Sequence, residues 1–142
     1  LKLPNDKTDV TYYGYGPYES YSDKHRASWV DRFDTTVDDM FEDYVFPQEN
    51  GSHYNCQYAS VGNLYAKGKK PFSFQASRYS EKELDEKAHN FELVPSDGIY
   101  VALDYKQSGI GSNSCGPRLA EKYQLREEKI EWEISIRFDN GN

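Results

Sequence analysis

The residues best suited to press a functional group against a bound partner are Gly109-Ile110-Gly111-Ser112-Asn113-Ser114-Cys115-Gly116-Pro117. Three glycines and one proline in this run permit positive φ values and tight bends that a β-carbon would block. Such a loop can bring one polar side chain close to a ligand, and Cys115 is the candidate here. An ordinary Gly/Ser connection is the competing reading. A nucleophilic thiol is not expected, because a cation must sit beside it to lower its pKa and only Arg118 is near in sequence.

Other chemistry-bearing residues are less organised. Cys56 and Cys115 form no C-x-x-C pair, and His25, His53 and His89 show no ligand spacing, so neither a zinc site nor a disulfide is expected. Six acidic residues fall between Asp31 and Asp43 (Asp31, Asp34, Asp38, Asp39, Glu42, Asp43), where a metal site or a catalytic carboxylate pair could be read. With 24 acidic residues in 142, close pairs arise by chance, and a solvated acidic face is the expectation. Glu127-Glu128 is read the same way.

The elements that must carry these residues follow from period-two alternation. Residues 10–15, 53–61, 72–79, 99–105 and 130–138 read as strands. In 72–79, Phe72, Phe74 and Ala76 share one face and Ser73, Gln75 and Ser77 the other. In 130–138, Ile130, Trp132, Ile134, Ile136 and Phe138 point inward. The pattern predicts an antiparallel sheet with one solvated face and at least seven strands. Lys67-Gly68-Lys69-Lys70 reads as a solvated hairpin tip. One helix is expected, from a capping box at Ser80-Glu81-Lys82-Glu83 to about His89, with Ser80 and Glu83 each satisfying a free amide at its start.

Composition narrows the classes. At 142 residues and 16.5 kDa the chain fits one domain, residues 1–142, able to bury about two-thirds of its unfolded surface. Mean hydropathy is −0.94, yet 15% of residues are aromatic, 13 of them Tyr, which argues against disorder and for sheets. A net charge of −7 and a pI near 5.0 leave no basic face for nucleic acid. No run approaches a membrane span, no leader is visible, and a cytoplasmic location is expected. The first residue is Leu1 rather than Met, as in a piece cut from something longer.

Four segments occur in a telling order: Gly16-Pro17-Tyr18-Glu19-Ser20-Tyr21-Ser22-Asp23, Tyr44-Val45-Phe46-Pro47-Gln48-Glu49-Asn50-Gly51, Phe74-Gln75-Ala76-Ser77-Arg78-Tyr79, and the run at 109–117. Together they resemble the C-terminal domain of large bacterial β-galactosidases of glycoside hydrolase family 2. There the segments read G-P-x-E-x-Y-x-D, Y-V-x-P-x-E-N-G, F-x-x-S-x-Y and G-x-G-x-x-S-[WC]-x-P. The resemblance covers residues 10–138 and implies an all-β antiparallel β-sandwich, half of a galactose-mutarotase-like supersandwich, with one short helix.

The resemblance also implies what the chain lacks. Family members are retaining glycosidases acting on terminal β-D-galactosides such as lactose, with two glutamates in a (β/α)₈ barrel. Magnesium, with sodium as a further candidate, is expected in that barrel and no cofactor in this chain. A barrel needs about 250 residues, so this chain alone is expected to be inactive, and Glu19 and Glu49 match structural motif positions. The loop is implied to reach the active-site mouth. Some members carry a stacking tryptophan where this chain has Cys115, with Asn113 and Ser114 placed for polar contacts to substrate. Cys115 is either a small residue shaping the mouth or a direct contact. The implied partners are the remaining domains of a parent enzyme or a separate large subunit, with substrate at the domain edge and neither nucleic acid nor membrane. Two other classes stand beside this one. One is a carbohydrate-binding module using Tyr12, Tyr13, Tyr15, Tyr18 and Tyr21, with core packing expected for at least half of those at 12–15. The other is an assembly module holding subunits together.

Overall fold

Alternation in sequence becomes alternation of faces. In β2 (Asp9–Gly16), Val10 and Tyr12 enter the core while Tyr13 and Tyr15 stand half-buried on the opposite face. The computed structural model describes residues 1–111 and 116–139. Its other strands are β1 (Lys2–Pro4), β3 (Trp29–Thr36), β4 (His53–Val61), β5 (Leu64–Ser77), β6 (Gly98–Asp104) and β7 (Ile134–Phe138). All seven strands pair antiparallel, in the order β1-β6-β5-β4-β2-β3, with β7 lying along the first part of β5. The architecture is all-β, an open sandwich-like sheet. Among the described residues the only α-helix is α1 (Glu81–Glu86), and none is long and apolar enough to cross a membrane.

The core face runs across the strands in register. Val10 faces Val61, which faces Leu64, and Tyr12 faces Ala59, which faces Ala66. Phe72, Phe74, Ile99 and Val101 complete it. The loose alternation of β4 has a cause: register shifts flank Cys56, and Asn55 adopts a φ of 58°. They turn Cys56 fully inward, into the space left by Gly14, where a β-carbon would overlap its sulfur. On the far face Tyr13, Tyr58 and Tyr65 form a stacked ladder with centroids 6.2 and 5.9 Å apart. The Arg137 guanidinium closes it, 4.4 Å from the Tyr65 ring centre.

Four local expectations are corrected. Lys67-Gly68-Lys69-Lys70 lies inside β5, where Lys67 and Gly68 pair with β7 and the register with β4 is broken after Lys67, and the hairpin turn is Gly62-Asn63, with Gly62 at φ +55°. Ser73, Gln75 and Ser77 are buried rather than solvated, and the segment around Asn50 to Ser52 lies against Gln75 and the Phe74 carbonyl. The last strand starts at Ile134 rather than residue 130. Trp132 and Ile134 pack against the core, but Ile136 and Phe138 are 42% and 51% exposed on that same face. Finally, Ser80 does cap α1, accepting from the Glu83 amide at 3.0 Å, but the Glu83 carboxylate accepts from Val94 N instead of folding back. The helix stops at Glu86, and Glu92 captures the amides of Ala88 and His89.

Candidate functional site

The four sequence motifs converge into one hydrogen-bonded frame, and Glu19 is its hub. Glu19 is 5% exposed. One carboxylate oxygen accepts from Lys24 Nζ and Tyr44 OH, and the other accepts from the Gly51 amide at 2.9 Å. Burial opposes the charge on Lys24, but Glu19 and Tyr44 outweigh it and hold the ammonium above its ordinary range. Gly51 sits at φ +70°, where a β-carbon would overlap the Met40 carbonyl, so only glycine presents its amide here without strain. Beside it, buried Ser20 donates from N to the Ser52 carbonyl at 2.7 Å, and its hydroxyl accepts from Tyr54 N at 2.9 Å. The Y-V-x-P-x-E-N-G and G-P-x-E segments are therefore joined through a buried carboxylate.

The F-x-x-S-x-Y segment joins through Gln75, whose amide donates to the Asn50 carbonyl. Asn50 in turn accepts from Glu42 N at 3.1 Å and donates to Gln48 O at 2.9 Å. Arg78 leaves the end of β5 to grip Asp38 at 2.5 and 3.0 Å, and this pairing holds the Asp38 carboxyl below its ordinary range. The acidic stretch at 31–43 is spent in such local contacts: Asp34 accepts from Thr11 and Arg32, Asp39 from Thr36, and Asp43 from Asn90.

The frame ends at the stem of the Gly-rich loop. Asp23, the last residue of the first motif, accepts from the amides of Ile110 (3.3 Å) and Gly111 (2.9 Å). Ser22 donates to the Gln107 carbonyl at 3.4 Å, Gln107 donates to Asp104 at 3.1 Å, and Leu125 N donates to Ser108 Oγ at 3.1 Å. Beside the stem opens a cleft of ≈ 1070 Å³ lined in part by Asp23, His25, Tyr54, Lys106, Gln107 and Arg126. A second cleft is lined in part by Glu81, Asp104 and Glu49, the last with one carboxyl oxygen buried and unpartnered among the described residues. Burial, then the nearby charges of Asp104 and Glu81, push its pKa up to about 7. Burial also raises Asp104.

The sequence candidates Asn113, Ser114 and Cys115 lie outside the described residues. Glu19 is the hub of the frame, whereas the buried Glu49 oxygen has no hydrogen-bond partner among the described residues. Cys56 is fully buried, and burial pushes its thiol up, which removes it from nucleophile or thiolate-ligand roles. Of the five tyrosines weighed as a stacking platform, Tyr12 and Tyr21 are buried. Tyr13 and Tyr15 turn their faces onto Tyr58 and Tyr54, and Tyr18 is exposed. No shared flat surface results. Among the described residues no three His, Cys, Asp or Glu side chains gather as metal ligands, so these residues do not fit a magnesium site. The residue that sequence reading missed is Asp23. It stood in a quoted motif, but its partners lie 87 and 88 positions away.

Fold and frame together define a sandwich-like module whose buried polar network leads to one buttressed loop. The family model described as beta galactosidase small chain matches residues 1–138, and the chain belongs to that family. It is 48% identical over 137 residues to a protein named beta-galactosidase from Actinobacillus pleuropneumoniae, covering 96% of this chain and 13% of that protein. It is 42% identical over 142 residues to a beta-galactosidase from Staphylococcus xylosus, covering 97% and 14%. A beta-galactosidase from Photobacterium profundum is 35% identical over 138 residues, covering 96% and 13%. The chain thus spans about one-eighth of the length of these curated relatives.

Proposed function

We propose that residues 1–142 act as one β-sandwich unit of a β-galactosidase that hydrolyses terminal β-D-galactosides such as lactose, and that the unit by itself is inactive. The observation that carries this reading is nearly full coverage of the chain by proteins of that name, of which it spans only 13% and 14%. Both reacting carboxylates, and the magnesium and sodium expected with them, belong to a barrel elsewhere in the parent. Within the parent this unit shapes the mouth of the active site through the loop at 109–117. Cys115 faces the sugar, and Asn113 and Ser114 supply polar contacts. Its partner is the rest of the parent chain or a large subunit. The exposed Ile136 and Phe138, which continue the core face beyond its cover, support such a partner. The unit neither binds nucleic acid nor enters a membrane, and its place of work is the cytoplasm.

Two measurements test this. The purified chain should not turn over a chromogenic galactoside, and mixing it with the rest of its parent should restore turnover. Galactosidase activity in the purified chain, or no recovery on mixing, counts against it. In the full enzyme, Cys115→Trp should change substrate affinity about fivefold, since a stacked aromatic contributes about 1 kcal/mol. Unchanged kinetic constants would mean that the loop is structural.

A further inference from the structure

We infer that Asp23 is the positioning residue of the 109–117 loop and sets the loop contact with substrate; this rests on the mouth reading above. Three observations converge. First, a single carboxylate accepts from two consecutive main-chain amides, Ile110 at 3.3 Å and Gly111 at 2.9 Å, and thereby fixes the direction in which the chain leaves the stem. Bonds to an ionised acceptor are the stronger kind. Second, Gly109 has φ +92°, and a β-carbon on it would overlap the same carboxylate. The missing side chain at 109 is the space that Asp23 fills, so the two residues are interlocked. Third, Asp23 is an exposed group on a rigid mount. Tyr21 and Lys24 bridge each other through both backbone bonds, N to O at 2.8 and 3.1 Å, with Ser22 and Asp23 at the tip. The Tyr21 side chain is buried, and Lys24 is tied to the buried Glu19.

The mount explains why a carboxylate that faces solvent can position anything. A free surface side chain would forfeit the contact to rotamer entropy. Here the backbone beneath Asp23 is fixed by the frame, and the carboxylate bonds main-chain amides rather than a cation among the described residues. Asp23 touches no reacting atom. It acts through the loop, so its removal should displace the loop contact and leave the chemistry intact.

The test uses the complete parent β-galactosidase carrying Asp23→Ala, Asp23→Asn, Gly109→Ala, the Asp23→Ala/Gly109→Ala pair and, separately, Cys115→Trp. A misplaced contact can lower kcat/KM by one to two powers of ten. Asp23→Ala should raise KM for lactose roughly tenfold while kcat stays within about twofold. Asp23→Asn, which retains acceptor oxygen but no charge, should fall between. Gly109→Ala should move KM in the same direction, through the Asp23 contact and through the strain an alanine meets at φ +92°. The double variant should therefore lie at or beyond Asp23→Ala but short of the product of the two, since the contact is shared. Hydrogen exchange should quicken in peptides covering residues 106–111 and stay unchanged in those covering His53–Val61. An unchanged KM in Asp23→Ala, with Cys115→Trp altering KM, overturns the positioning role and leaves the mouth reading standing. Unchanged KM in both overturns the two together. Faster exchange throughout the chain, with kcat falling as much as KM rises, makes Asp23 merely structural and also overturns it.

Discussion

The Glu19 corner and the β7 edge are built on opposite principles. The corner buries a charge and surrounds it with donors: Lys24, Tyr44 and the Gly51 amide meet one carboxylate that is almost inaccessible. The edge does the reverse. Ile136 faces Ala66 and Phe138 faces Leu64, so both extend the core face, yet both stay roughly half exposed. A polar network can close on itself within a short chain because its partners are few and directional. An apolar face closes only against another surface. The corner is therefore complete here, and the edge is the surface on which the proposed partner would seat.

The comparison breaks most sharply at Glu19. Glu19→Ala strands the buried Gly51 amide and removes the acceptor for Tyr44 OH and Lys24 Nζ. A loss of about 3 kcal/mol of unfolding free energy is expected. Lys24→Met should cost less than about 1 kcal/mol, because Lys24 is half exposed and water replaces much of what it loses. Urea denaturation of both variants reads the difference. Equal losses from the two ends would mean that the salt bridge itself, rather than satisfaction of buried donors, holds the corner.

Much of this was legible in the sequence where side chains alternate against a core. Val10 and Tyr12 in β2, Phe72, Phe74 and Ala76 in β5, and Ile99 and Val101 in β6 all point where their spacing said. Ser80 announced α1. β3 was illegible, because Trp29, Val30, Asp31 and Arg32 on this edge strand are all exposed and leave no alternation to read. The middle of β5 hid behind its lysines, since the strand runs on alongside β7 while its side chains reach water. For the candidate site, the four motifs could be quoted in order, but their convergence on Glu19 could not. Hydrogen bonds such as Glu19 to Gly51 or Asp23 to Gly111 span 32 and 88 positions and follow no periodicity.

At the β7 edge the expected effect is on association more than on folding. Ile136→Ser and Phe138→Ser together remove apolar surface of which the chain itself covers about half, so the urea midpoint should fall modestly. Binding to the rest of the parent should weaken by roughly tenfold to a hundredfold, as about 25 cal/mol per Å² over two half-exposed side chains would give. Titrating the chain into the remaining polypeptide and following recovered galactosidase activity measures this. A large drop in stability with undiminished recovery would place the edge inside the core and erase the contrast with the Glu19 corner.

The smallest effect concerns a buried carboxyl that lacks what Glu19 has. Burial, Asp104 and Glu81 push Glu49 up to about 7, against 4.5 for an ordinary glutamate. Folded chains thus keep this proton through a range in which unfolded chains release it. The stabilising contribution is complete below about pH 4.5 and is lost as pH rises to about 7. His53 works in the opposite sense. Burial holds it down to about 4 from 6.5, so its contribution is complete above 6.5 and is lost as pH falls toward 4. Between these limits the two slopes oppose each other. Glu49→Gln removes one of them, so the variant should gain on the native chain steadily from pH 4.5 to 7. The gain should reach about 1–2 kcal/mol after the screening expected for a partly exposed group. Urea midpoints taken across that range measure the gap. A gap that stays constant with pH would show that Glu49 ionises like an exposed glutamate, and that this carboxyl is as well served by its surroundings as Glu19 is.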